Sequence, residues 1–219
     1  MGIVRLHALG IDELRDVCVG TDATVQRLRA LALAAWPPAP TPSPRQGGLL
    51  RKLGPFSRHA VGAPIVRQGV PTSHDLDDVA HGRDVPADRR TAAWALVGAW
   101  VDDLAWGSLE VDATDADIDD LDFALATAGV PSRYGLRQLF AHGTALPVKL
   151  LPGMRDGYAR GTHAVAMASA WRGALGALPT TVEPRAATIA GWLDRFTGWT
   201  HKADEAGRPA PDLVVWFRS

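Results

Sequence analysis

The chain has 219 residues, 47% of them hydrophobic and 21% charged, with a formal net charge of −1. A chain of this length buries roughly 70% of the surface that its unfolded form exposes, so one hydrophobic core can hold it without staples. The single cysteine, Cys18, rules out an internal disulfide and a thiolate zinc site; the near-zero charge disfavours a dedicated nucleic-acid binder, and no apolar run reaches the ~18 residues of a membrane span.

In chain order, Ile3 to Ala8 alternates as a short strand, with Val4, Leu6 and Ala8 on one face and Ile3, Arg5 and His7 on the other. Asp12 is placed to cap a short helix through Val17. Thr21 caps a second helix, whose apolar face carries Val25, Leu28 and Leu31 or Ala32 before Pro37 and Pro38 end it. Pro37 to Gly48 holds five prolines in its first eight residues and reads as an exposed, extended connector within a single domain spanning 1–219. Beyond it, Leu49 to Phe56 (LLRKLGPF) forms at most one basic amphipathic turn.

Thr72 or Ser73 opens a short helix that Gly82 closes. Pro86 marks the start of a longer one to Trp106, with Ala93, Leu96, Val97, Trp100 and Leu104 at helical spacing. Ser108 to Asp112 reads as a second strand. Thr114 caps a helix to about Ala128 whose buried stripe is Ile118, Leu121 and Leu125, and Ser132 caps another through His142. Leu146 to Leu151 is the third strand candidate, with Pro147 suggesting an edge position. Helices follow from Gly161 to Leu178 and from Pro184 through Trp199, and Leu213 to Phe217 closes as a very apolar strand. Helices that do not alternate regularly with three or four short strands imply an α+β fold, mainly helical with one small sheet.

Charge is distributed unevenly. Between Ala23 and His74 there are seven basic residues, Arg51 and Lys52 among them, and no acidic one; from Asp75 to Asp122 there are 14 acidic residues against three arginines. Either the basic stretch lies across the acidic one, or the acidic field, with Asp115, Asp117 and Asp119 at its centre, is offered to a partner. Asp115, Asp117 and Asp119 also fit the first turn of a helix, where unpaired N–H groups favour negative charge. Asp122 lies on the buried stripe and calls for a partner, for which Arg133, Tyr134 and Arg137 are the nearest candidates.

No catalytic motif is legible: Gly-x-Ser-x-Gly, a phosphate-binding glycine loop, a dinucleotide fingerprint and HExxH are all missing. Read as an EF-hand, the aspartate run fails at the glycine and at the bidentate glutamate. The reading therefore expects no metal and no cofactor. Tyr158, Arg160 and His163 (GYARGTH) stand at a loop-to-helix junction and suit an anion or a carbonyl. Arg5 and His7, on their strand face, are placed to converge with them in a ligand cleft.

The segments MGIVRLHALGIDELRD, WVDDLAWGSLEVD, DDLDFALATAGVPSRYGLRQLF, GYARGTHAVAMASAWR and GRPAPDLVVWF resemble an uncharacterised bacterial family known only as a domain of unknown function. More distantly, the order of the first strand, the Gly-Val and Tyr-Gly steps and the tryptophan helices is similar to the small α+β YfbM-like proteins. Neither resemblance supplies a catalytic motif. The amino-terminal Met-Gly-Ile-Val-Arg-Leu-His lacks the features of a secretory signal, which makes the cytoplasm the expected location. Charge asymmetry without a reaction centre points to a non-enzymatic, immunity- or adaptor-like protein with a protein partner. A small-molecule binder or enzyme built on Arg5, His7, Tyr158, Arg160 and His163 is the alternative.

Overall fold

Residues 2–37 and 69–219 are described by a computed structural model. The Pro-rich stretch after Pro37, the LLRKLGPF segment and with it Arg51 and Lys52 lie outside the described residues. Four strands, β1 (Ile3–Leu9), β2 (Gly107–Asp112), β3 (Met154–Ala159) and β4 (Asp212–Arg218), form one antiparallel sheet in the order β2-β1-β4-β3. Nine helices surround it among the described residues: α1 (Ile11–Arg15), α2 (Asp22–Ala35), α3 (Ser73–Ala80), α4 (Arg90–Leu104), α5 (Asp115–Thr127), α6 (Leu136–Leu139), α7 (Gly161–Ala174), α8 (Glu183–Leu193) and α9 (Phe196–Glu205). The fold is α+β and mainly helical.

The alternation of β1 decides the layering. Val4, Leu6 and Ala8 join Leu213, Val215 and Phe217 of β4 on one face, fully buried under α5 to α9. Trp171 and Phe196 are the largest fully buried side chains there, each contributing roughly 1.5–3 kcal/mol of transfer free energy. Leu9, Val214 and Trp216 point the other way, into a second cluster with α1 to α4. Antiparallel sheets often leave one face wet; here helices lie over both.

Local chemistry sets the helix starts as the residues suggest. Thr21, Thr72 and Thr114 each accept a backbone N–H from the third residue on. Asp75 and Asp117 reach back to the N–H of Thr72 (2.7 Å) and Thr114 (2.8 Å), closing reciprocal caps with aspartate in the usual glutamate position.

Five expectations need correction. The segment Leu146 to Leu151 is not a strand: Val148 and Leu151 fill the second core, and the Lys149 carbonyl accepts the Trp94 indole N–H at 3.0 Å, so the backbone is used locally. The third strand is β3 instead, eight residues later. Pro86 begins a turn, closed by the Arg89 N–H on the Pro86 carbonyl at 2.9 Å, and α4 starts only at Arg90, with the Arg89 side chain bonding Asp75 and the Val70 carbonyl. Ser132 opens a 3₁₀ turn, Ser132–Tyr134, followed by the single helical turn α6. Gly10, not Asp12, caps α1, with Glu13 bonding back to its N–H at 3.2 Å. The helix read from Pro184 through Trp199 is two, α8 and α9, and Ile189, Trp192, Leu193, Phe196 and Trp199 are nevertheless all buried.

Gly107 opens β2 rather than merely ending α4, and a Cβ there would sit 2.3 Å from the ring of Trp199. The edge strand can approach α9 only because that position has no side chain. No helix among the described residues is long and apolar enough to cross a membrane.

Candidate functional site

The second face of the sheet is covered incompletely. Along α4, Thr91, Ala95, Gly98, Ala99 and Asp102 form the one stripe that does not reach the core. Facing them across a groove of about 460 Å³ are Arg5, Met154, Trp216 and Arg218 from the strands, with Trp36 and Trp94 at the sides. The groove continues past Arg5, Gly98, Asp102 and Trp216 into a smaller recess of about 290 Å³ that reaches His7 and Ser108. The Gly98 position is open: a Cβ there would meet nothing within 4 Å.

His7 is 3% exposed and Trp216 6%. Their rings lie 4.9 Å apart, and Trp94 meets Trp216 edge-on at 5.4 Å. His7 Nδ1 lies 2.9 Å from the Ser108 hydroxyl. Its Nε2, and the Trp216 Nε1, have no hydrogen-bond partner among the described residues. Burial, reinforced by the neighbouring Arg5 charge, brings the His7 pKa down to about 4, so the ring is neutral near pH 7. Whichever tautomer it takes, Nε2 keeps an unused proton or an unused lone pair. A buried polar group left unpaired costs roughly 1–3 kcal/mol, and two of them bordering one hollow call for a reason.

Charge surrounds these rings. Arg5 donates from Nε to Glu110 at 2.7 Å. Burial pushes the Asp102 carboxyl up, against the pull of the Arg5 charge. Arg218 makes no ion pair among the described residues. The Ser108–His7 contact looks like half of a nucleophile–base pair, but its histidine is a weak base at that pKa and its second nitrogen meets no orienting carboxylate. The arrangement suits binding better than acyl transfer.

Trp192 and Trp106 also have indole N–H groups without partners among the described residues. Trp192 packs edge-on against Trp199 at 5.2 Å and Phe196 at 5.5 Å in the sealed core, and Arg208 lies over the Trp106 ring. Neither lines the groove.

The five ligand candidates do not share one cleft. Arg5 and His7 stand in the α4 groove. Tyr158 is on the same sheet face as His7 but a strand further away, with Val214 between them. Tyr158, Arg160 and His163 instead line a separate recess of about 360 Å³ with Arg133 and His142. A wider hollow of about 610 Å³ lies beside Asp212, whose carboxylate accepts the N–H of Ile11 (3.2 Å) and of Gly161 (3.1 Å) and pairs with Arg160 (3.2 Å). That buried charge is fully engaged, capping α1 and α7 at once.

The acidic interaction candidates are tied up within the molecule. Asp115 binds Arg137 and Arg155, Asp119 binds Arg137 at 2.6 Å, and Asp117 binds Arg185 at 3.1 Å as well as capping α5. Hydrogen bonds from those arginines, and from Thr114 in the case of Asp117, hold all three carboxyls below the usual range. The cations come mostly from α6, β3 and α8, while Arg27 alone of the described basic stretch reaches the acidic region, at Asp103.

Asp122 is half-buried as its helical phase requires, but its partners are not cations. It accepts the backbone N–H of Leu136 (2.7 Å) and Arg137 (2.9 Å), capping α6, and burial pushes its carboxyl up against those two bonds. Cys18 is half-buried, and burial raises its thiol to about 11, away from thiolate chemistry. No group of three or more metal-ligating side chains occurs among the described residues.

Sequence reasoning missed Trp216, Asp102 and Ser108. A faint signal existed: Asp102 interrupts an otherwise apolar helix, and Trp216 belongs to the strand phase opposite Val215 and Phe217. Compared with known proteins, the chain matches no family model, and no curated protein or solved structure is significantly similar to it.

Proposed function

We propose that this protein binds a small molecule in the groove between α4 and the sheet. The observation that carries the reading is the pair of unpartnered ring nitrogens, His7 Nε2 and Trp216 Nε1, on side chains more than nine-tenths buried at the wall of that groove. A ligand with a flat apolar body suits Trp36, Trp94 and the Ala95–Gly98–Ala99 floor. An anionic or acceptor group on it would meet Arg218 at the rim. Mostly apolar walls with a few convergent polar groups are what small-molecule sites have in common.

The expected protein-partner role draws less support, since Asp115, Asp117 and Asp119 are paired internally. The test is Gly98→Leu, which projects a side chain into open space and replaces a poor helix former with a good one. Anilinonaphthalene sulfonate, an apolar aromatic body with an anion, serves as a fluorescent probe for displacement by a metabolite library. Binding at least tenfold weaker in Gly98→Leu, with an unchanged circular dichroism spectrum, supports the reading. Equal binding by both proteins overturns it, and salt-sensitive capture of a protein by the variant would favour the partner role.

A further inference from the structure

We propose that the recess formed by Arg133, His142, Tyr158, Arg160 and His163 is a second site, independent of the α4 groove, which binds the phosphate group of a small molecule. Two arginines, two histidines and a tyrosine are among its lining residues, and no carboxylate is. A hollow of about 360 Å³ is ample for a phosphate with a small organic group attached. Guanidinium forks match tetrahedral oxyanions through paired N–H donors, and Arg133 makes no ion pair among the described residues. Asp212 takes one nitrogen of Arg160 at 3.2 Å from the far side, and the other donors remain for a ligand.

The site is built before any ligand arrives. The turn carrying Arg133 is held by two contacts beneath it: the Trp171 indole donates to the Tyr134 carbonyl at 2.8 Å, and the Asp122 carboxylate fixes the following turn, α6. Arg133 lies over the Tyr134 ring at 4.7 Å, and the same ring packs against His163 at 5.0 Å. From the opposite wall, β3 comes close enough to α6 that a Cβ on Gly157 would fall 2.0 Å from the Leu139 carbonyl oxygen. That contact keeps Tyr158 and Arg160 at a fixed distance from Arg133.

His163 stands in the first turn of α7, whose partial positive charge adds to the arginines. Burial lowers the His163 pKa from its ordinary value; a hydrogen bond with the Arg133 backbone opposes this, and the Arg133 charge adds to it. An anion bound beside it would raise it.

The experiment titrates the full-length protein at constant ionic strength with inorganic phosphate and, separately, with phenyl phosphate. Binding is followed by calorimetry and by the His163 ring resonances in NMR. Saturable binding that moves the His163 signals, and that weakens at least tenfold in Arg133→Glu and in Arg160→Gln, is the expected result. Arg133 is exposed, so its variant should fold, and circular dichroism checks both. Tighter binding of phenyl phosphate than of phosphate identifies an organic phosphate as the ligand, and equal binding identifies the free anion. A response that does not saturate, or one that both charge variants leave unchanged, overturns the proposal. Gly98→Leu should leave phosphate binding intact, so this site and the α4 groove stand or fall separately.

Discussion

The two faces of the sheet are finished to different standards. Under α5 to α9, Val4, Leu6, Ala8, Leu213, Val215 and Phe217 meet an apolar layer from end to end. Under α1 to α4, the neighbouring residues of the same strands present Arg5, His7 and Trp216 to a groove. One residue of phase along β1 separates the two environments. Dense packing is the default that hydrophobic burial produces. His7 Nε2 and Trp216 Nε1, buried without a partner beside a hollow, depart from that default and lose stability.

The largest expected effect lies on the sealed side. Phe196→Ala should lower stability by about 3–5 kcal/mol in urea unfolding, because its cavity has no route to solvent and rigid neighbours on every side. A loss under ~1.5 kcal/mol would show that face to be as loose as the other.

The open side should instead reveal itself through pH. The pKa of His7 falls from 6.5 to about 4 on folding, so as the pH drops the unfolded chain takes up this proton first. Its contribution is fully present above pH 6.5 and is lost as the pH falls toward 4, by on the order of 3 kcal/mol in total. Urea unfolding at pH 7 and pH 4.5 should show a smaller difference for His7→Gln than for the natural protein. Identical differences would mean that the ring is solvated.

On the sealed side, where Asp122 joins α5 to α6, Asp122→Ala should lower stability by about 1–2 kcal/mol, the worth of a helix cap. Calorimetric unfolding separates this from the ~3–5 kcal/mol expected if a buried cation were stranded. Asp122→Asn should retain part of the loss, since an amide oxygen still accepts an N–H. The smallest effect is reserved for Trp216→Phe, which should change stability by no more than ~1 kcal/mol: it removes an unpaired donor, and the lost volume opens toward the groove. A large loss from this one substitution would close the distinction between the faces.

Features governed by local chemistry were legible in the residues. Thr21, Thr72 and Thr114 announce their helices through the hydroxyl that a first turn needs. The Met167, Trp171 and Ala174 spacing marks the buried side of α7, β1 declares its phase by alternation, and the apolar run of β4 marks a strand buried on both faces. Leu146 to Leu151 misled because apolar residues there fill a core from an irregular segment, whereas β3 reads Met-Arg-Asp-Gly-Tyr-Ala and hides its strand among polar side chains. Asp156 of that strand bonds the N–H of the buried Thr144 at 2.9 Å, a contact that no periodicity announces. Of the groove, Arg5 and His7 were visible as one strand face. Trp216 and Asp102 were not, because what sets them apart is the lack of a neighbour, and that exists only after distant segments have met. Asp122 was placed correctly on its helix, but its partners are backbone groups, to which side-chain charge gives no clue.

The central position of β4 has a consequence for how the chain reaches this state. Strand β1 is hydrogen-bonded on one side to β2, about a hundred residues along, and on the other to β4, where Ile3 faces Arg218. Asp212 then fastens Ile11, 201 residues earlier, to the start of α7. Contacts of such long range make folding slow, because the loop must close before the pairing rewards it. During synthesis β1 can pair with β2 once about a hundred more residues have emerged, but its other edge stays open until β4 follows. A ribosome-associated holdase bound to the amino-terminal strand, or a burst of aggregation when translation stalls before Asp212, would be the cellular trace of placing the last strand in the middle of the sheet.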